Sequence, residues 1–217
     1  LGIQFFICWV FVALTVGLFL QSEKTTQTLF HTLTQKEKAE IISIPLDYPF
    51  MKNKEKLEMV ERFKQHAGVK DILLADVAYM GGVSGNLLMT EKGNENSWVE
   101  IEILSVPQHF FSFMNIPIRQ GRTIQTKQDM VLDEAYTNRQ KKDVIGMNFY
   151  DRHTDYTVCG ICAPFQANVY YDNGGYAFQL YDPSDYVGHC YVKCYPGQQK
   201  EVVKWIERIR CEVLPEN

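Results

Sequence analysis

The spacing of apolar and polar residues changes character along this chain. Residues 1–20, LGIQFFICWVFVALTVGLFL, contain no charged side chain, and Gln4 and Thr15 are their most polar members. At about 1.5 Å per residue a helix of that length crosses a hydrocarbon core of roughly 30 Å. A secretory signal is the alternative. It calls for a basic start, an apolar run of about 7–15 residues and a small-x-small cleavage site. The run here is longer, and LQSEKTT (20–26) offers no such site. A transmembrane helix over 1–20 is therefore expected. With no initiator Met and no basic flank, the chain reads as a piece of a longer protein whose orientation the positive-inside rule cannot set. QSEKTTQTLFHTLTQKEKAE (21–40) holds no helix breaker and places Leu29 and Leu33 at i, i+4. That pattern predicts the membrane helix continuing into water as a stalk, 21–39.

Beyond the stalk the period alternates between strand and helix. IISIPL (41–46) reads as a buried strand. KNKEKLEMVERFKQHAG (52–68) reads as an amphipathic helix with Leu57, Val60, Phe63 and Ala67 on one face and Gly68 placed to end it. VKDILLADVAYM (69–80) completes a βαβ or split βαβ unit. GGVSGN (81–86) is a loop. LLMTEK (87–92) and WVEIEILSV (98–106) are strands, the second with Val99, Ile101 and Ile103 alternating with Glu100, Glu102 and Leu104. PQHFFSFMN (107–115) is a short helix and IPIRQGRTI a connector around Gly121. DMVLD (129–133) is a strand, EAYTNRQ (134–140) a helix and YTVCGIC (156–162) a strand. Asn173-Gly174 carries hairpin chemistry within 169–181. GHCYVKCY (188–195) and PGQQKEVVKWIERIRCEVL (196–214) form a closing strand and helix, the latter with Val202, Ile206, Ile209 and Val213 on one face. The order of elements predicts an α+β protein.

Composition narrows the function. The 217 residues carry 22 basic and 26 acidic side chains with no long block of either sign, which argues against nucleic acid as a partner. Cys159-Gly-Ile-Cys162 is the one local motif that could imply chemistry alone. With Cys190 and Cys194 it could supply four thiolates to zinc. Yet residues three apart in a strand point to opposite faces, and Ala163-Pro164-Phe165 is no helix start to activate a thiol. The cysteines read as small buried strand residues, with a disulfide or a metal or redox site as alternatives. The histidines lack ligand spacing, and DRHTD (151–155) reads as a solvated turn. GGVSGN lacks the Gly-Lys-Ser/Thr of a phosphate loop. No local motif marks a catalytic, cofactor or metal site, although absence of a motif does not exclude a site assembled by the fold.

Other stretches carry a family signal. LSVPQHFFSFMNIPIRQGRTI (104–124), MVLDEAYTNRQ (130–140), DVIGMNFY (143–150), YTVCGICAPFQ (156–166) and YVKCYPGQQKEVVKWIERI (191–209) resemble, in order and spacing, segments of the extracytoplasmic domains of MacB/FtsX-like ABC transporter permeases. Gly121, Arg122, Ile145, Gly146 and Gly160 fall on the family's structural positions: turns, an apolar anchor and a strand glycine.

The resemblance implies a porter-like α/β sandwich subdomain, 40–103 and 176–214, with an inserted mixed-β, sabre-like subdomain, 104–175. It implies a non-catalytic domain in the periplasm, anchored in a bacterial inner membrane and coupling cytoplasmic ATP hydrolysis to periplasmic movement. The partners would be a cytoplasmic ABC ATPase, a second permease copy and a periplasmic adaptor or target protein. A membrane-anchored binding or sensor module without an ATPase is the alternative function.

Overall fold

The computed structural model describes residues 2–28, 30–79, 85–140, 143–167 and 175–213. Helix α1 runs over Gly2–Thr28 and a short α2 over Gln35–Ala39. Strand β1 (Ile41–Pro45), helix α3 (Asn53–Lys64) and strand β2 (Val69–Ala75) follow. Next come β3 (Gly85–Met89), β4 (Trp98–Val106), α4 (Phe110–Phe113), β5 (Ile118–Gly121), β6 (Asp129–Asp133) and α5 (Glu134–Gln140). The chain continues through β7 (Asn148–Tyr150), β8 (Asp155–Cys162), β9 (Tyr176–Leu180), β10 (His189–Cys194) and α6 (Gln199–Val213).

The strands form two sheets. One has the order β1-β10-β2, and β10 is antiparallel to both neighbours. β1–α3–β2 is thus a split βαβ unit whose gap is filled by a strand from far along the chain. Everything from β3 to β9 is inserted before that strand and forms a seven-stranded mixed sheet, β5-β8-β6-β9-β4-β3-β7. β3, β4 and β9, grouped at the sequence level with the porter-like unit, hydrogen-bond into this larger sheet.

β10 explains how the layers stack, because every one of its residues is buried. Cys190, Val192 and Cys194 face Met59, Val60 and Phe63 of α3 and Val202, Ile206 and Ile209 of α6. Tyr191 faces the opposite way, into a cluster with Leu73, Tyr79, Phe110, Phe111, Phe165 and Phe178 that joins the two sheets. The Tyr79 and Tyr191 rings stack with centroids 5.4 Å apart, and Phe110 and Phe111 meet Phe178 at 5.7 and 5.3 Å. Burying rings of this size contributes about 2–3 kcal/mol each. A third cluster, including Leu88, Ile101, Met130 and Phe149, covers the other face of the larger sheet.

Several boundaries differ from the sequence expectation, each for a local reason. The stalk is not continuous: Phe30 adopts φ 48°, and the Leu33 N–H closes a turn on the Phe30 carbonyl at 2.9 Å. Thr34 then caps α2 in a reciprocal box with Glu37. α3 stops at Lys64, and the Gly68 N–H donates to His66 Nδ1 at 3.0 Å, a local bond that competes with helix. Gly68 instead allows close approach of the chain entering α6, because a Cβ there would press on Gln198 and Val202. Ala67 is exposed and Lys56 takes a buried place on α3, its Nζ donating to the Val187 carbonyl at 3.1 Å. The connector around Gly121 contains an edge strand, β5, paired to β8. In β4 the buried face switches clusters, Ile101 entering one and Leu104 and Val106 the other. The Asn173-Gly174 turn and most of GGVSGN lie outside the described residues.

Among the described residues no helix is long and apolar enough to cross a membrane. The expected span over 1–20 is not established by this structure.

Candidate functional site at the helix–domain junction

α1 meets the domain through the segment that follows it. The Phe30 N–H donates to the Gln166 carbonyl at 3.0 Å, and the Phe30 and Phe165 rings lie 5.6 Å apart. Thr32 Oγ1 donates to the Met114 carbonyl at 2.7 Å. Leu33 is 4% exposed and belongs to the cluster between the sheets. The Glu37 carboxylate accepts the Thr34 N–H and hydroxyl at 2.8 Å each, and its other oxygen accepts Asn115 Nδ2 at 2.7 Å. These Thr34 bonds hold Glu37 below the usual carboxylate range.

The same spot ends α4, where helix carbonyls lack intrahelical partners. Lys193 of β10, buried, donates its Nζ to the Phe113 carbonyl at 2.6 Å and lies over the Phe113 ring at 4.8 Å. Burial lowers the Lys193 pKa. Asn115 has φ 53°, and with Phe30 it makes up the non-glycine residues of positive φ among the described residues. For a bulky aromatic such as Phe30 that conformation is a genuine outlier, and strain of this kind concentrates at sites with a mechanical or binding role. The junction therefore joins α1, α4 and the central strand β10 at one place.

The sequence-named structural residues gather along β8. Gly121 has φ 73°, and a Cβ on it would collide with the Cys159 carbonyl. A Cβ on Gly160 would collide with the Arg122 carbonyl. The Arg122 N–H donates to the Cys159 carbonyl at 3.0 Å. Its guanidinium grips Asp129 with two bonds of 2.7 and 2.6 Å, and these hold the Asp129 carboxyl well below the usual range. Gly146, φ 80°, donates its N–H to the Val158 carbonyl at 2.9 Å, and Ile145 packs against the third cluster.

The Cys-x-x-Cys pair is placed differently from expectation. The register of β6 against β8 slips between Met130 and Val131, leaving Cys159 as an extra residue in β8. A bulge of this kind resets the alternation, so Cys159 and Cys162 both face the cluster between the sheets rather than opposite sides. Cys190 and Cys194 face the other cluster, so the two pairs do not converge. All six cysteines are free thiols, and burial raises the pKa values of Cys159, Cys162, Cys190 and Cys194. Among the described residues no group of three or more His, Cys, Asp or Glu is arranged to hold a metal ion. In DRHTD, Asp151 Oδ1 accepts the N–H groups of His153 and Thr154 at 2.6 and 2.5 Å, closing a turn.

The junction went unnoticed in the sequence, although Thr34-x-x-Glu37 is a capping-box pattern that marks a helix start inside the expected stalk.

No protein-family model matches the chain and no curated protein matches it. Solved structures do. The periplasmic region of MacB from Actinobacillus actinomycetemcomitans superposes with a TM-score of 0.58 and 12% identity, covering 84% of this chain and 89% of that one. The extracellular domain of the noncanonic ABC-type transporter YknZ from Gram-positive bacteria gives a TM-score of 0.54 and 13% identity, covering 80% and 92%. At such identities the likeness is one of fold, and the fold is that of a MacB-like periplasmic domain.

Proposed function

We propose that this chain is the extracytoplasmic domain of an ABC-type permease, with α1 as its membrane anchor and the α1–α4–β10 junction as the point where movement of that helix enters the domain. The reading rests on one combination: a MacB-like fold behind a helix that is apolar on every side. Phe6, Trp9, Phe11, Leu14, Leu18 and Phe19 are all more than half exposed, and they point around the whole circumference of α1. A helix hydrophobic all round requires an apolar surrounding. Thr15 satisfies its hydroxyl within the helix, on the Phe11 carbonyl at 2.8 Å, as a bilayer demands.

In this reading the domain catalyses nothing. It faces the periplasm of a bacterial inner membrane, works beside a second permease copy and a cytoplasmic ABC ATPase, and meets an adaptor or target protein. The split-βαβ sheet with α3 and α6 is the porter-like unit and the seven-stranded sheet the sabre-like unit. Gly121, Arg122, Ile145, Gly146 and Gly160 are framework positions that hold β8 in place. The broken stalk does not act as one stiff rod. α1 pulls on a docked strap, residues 30–37, and the strap pulls on both sheets through the cluster they share.

Inserting two Gly residues after Thr32 tests this. The reading expects ATP turnover and folding to survive while transport falls away. Transport at the parent rate in that variant would refute it.

A further inference from the structure

β7 hydrogen-bonds to β3 on one side and to β8 on the other, so the larger sheet closes on itself. Leu88, Ile101, Phe149 and Tyr156 point inward, into the third cluster. Alternation sends their chain neighbours outward. Trp98 of β4, Met89 of β3, Tyr150 of β7 and Asp155 of β8 lie opposite one another in direct register and form one outward row across four strands. Leu87 stands beside the row, opposite Glu100. Among the described residues the core clusters include none of Leu87, Met89, Trp98 and Tyr150. Leu87 is 59% exposed and Trp98 37%. A single apolar side chain at a surface is ordinary. Four neighbouring ones, with a Trp and a Tyr among them, have the composition of an interface centre.

The charge around this face has one sign. Residues 85–106 and 148–155 hold six carboxylates and two cations, a net charge of −4 that equals the net charge of the whole chain. One of the two cations, Lys92, is paired with Asp155 at 2.6 Å, and its Nζ lies over the Tyr150 ring at 5.8 Å. The row thus already seats one ammonium group on an aromatic face beside a carboxylate, an arrangement that attracts cations. Glu100, on the other side of the row, is exposed. This charge selects the occupant. A second copy would bring the same negative face, and anionic lipid or nucleic acid would be repelled.

We propose that the outward face of β4, β3 and β7 is the docking surface for a partner protein that presents a basic segment. An apolar side chain of that segment covers Leu87 and Trp98, while its Arg or Lys groups reach Glu100 and the aromatic rings. That the partner is the adaptor or target of a transporter rests on the permease reading; the docking surface itself rests on the row and its charge.

The test uses the full chain in its own membranes, with the photoreactive residue benzoylphenylalanine placed at Leu87 and, as a control, at exposed Lys54 on α3. Illumination should join position 87 to one partner protein, at a segment that sequencing of the cross-linked peptide shows to carry net positive charge. Two changes away from the reactive group should each reduce this adduct at least about 10-fold: Trp98→Ala, which removes the aromatic anchor, and Glu100→Lys, which reverses the attracting charge. Raising the salt concentration should weaken the parent adduct in the same sense. An adduct only with a second copy, with lipid or with an acidic segment overturns the proposal. So does an adduct no stronger than that at Lys54, or one indifferent to both changes. If Trp98→Ala fails to fold, Glu100→Lys, at an exposed position, decides. The ABC ATPase is scored in the same membranes. Its absence beside an intact adduct sinks the permease reading alone, and its presence without the adduct sinks the docking surface alone.

Discussion

Replacing Leu33 by Ala should release the strap without unfolding the domain. Leu33 is 4% exposed and packs in the cluster that the two sheets share. Truncation removes its buried hydrocarbon, about 2 kcal/mol of transfer free energy, plus a cavity term, for about 3 kcal/mol in all. Residues 30–37 are tied to the body by a few further contacts, those of Phe30, Thr32 and Glu37. The sheets do not run through them. The loss therefore appears as local opening, about 100-fold more frequent than in the parent. Lys38 and Glu40 report it, because their N–H groups are bonded to Thr34 and Lys36 at 2.9 and 3.1 Å. The assay is native-state hydrogen exchange with β10 amides as the global reference. Opening confined to the strap supports the reasoning. Equal loss of protection in β10, or no change at Lys38 and Glu40, would show that the strap is not an independently released element.

Arg122→Ala should lower the thermal midpoint by several degrees near neutral pH, since it leaves the nearly buried Asp129 carboxylate without its cation. Asp129 is held below its ordinary 3.8, so its stabilisation is present above that value and fades as pH falls below it. The gap between variant and parent should narrow in acid, and thermal melts across pH 2.5–7 would show it. Thiol labelling followed by mass spectrometry should find exposed Cys211 modified quickly, and Cys162, Cys190 and Cys194 modified only as fast as the protein unfolds. Rapid labelling of Cys162 would mean that the sheets part more readily than this packing allows.

Elements with a strong period were legible in the sequence. α6 buries Val202, Ile206 and Ile209, three of the four residues its spacing selected, because one face of an isolated amphipathic pattern has one place to go. β6 and β8 were legible as short apolar runs rather than by period, and β6 is buried over its whole length. Sheet membership was not. β4 alternates like a strand of either sheet, and only its pairing with β9 and β3 assigns it. The orientation of Cys159 was hidden because a bulge is a property of two strands in register, not of one. The break at Phe30 was hidden by helix-compatible residues, and the turn is held by partners at Met114 and Gln166 that lie far away in the chain.

The most direct measurement is affinity purification of the protein from detergent-solubilised membranes, with co-purifying proteins identified and quantified by mass spectrometry. The permease account predicts a stoichiometric ABC ATPase, retained through the membrane-embedded part and lost when α1 is removed. Its reproducible absence from intact, membrane-extracted protein would contradict the account and favour an anchored binding module built on the same fold.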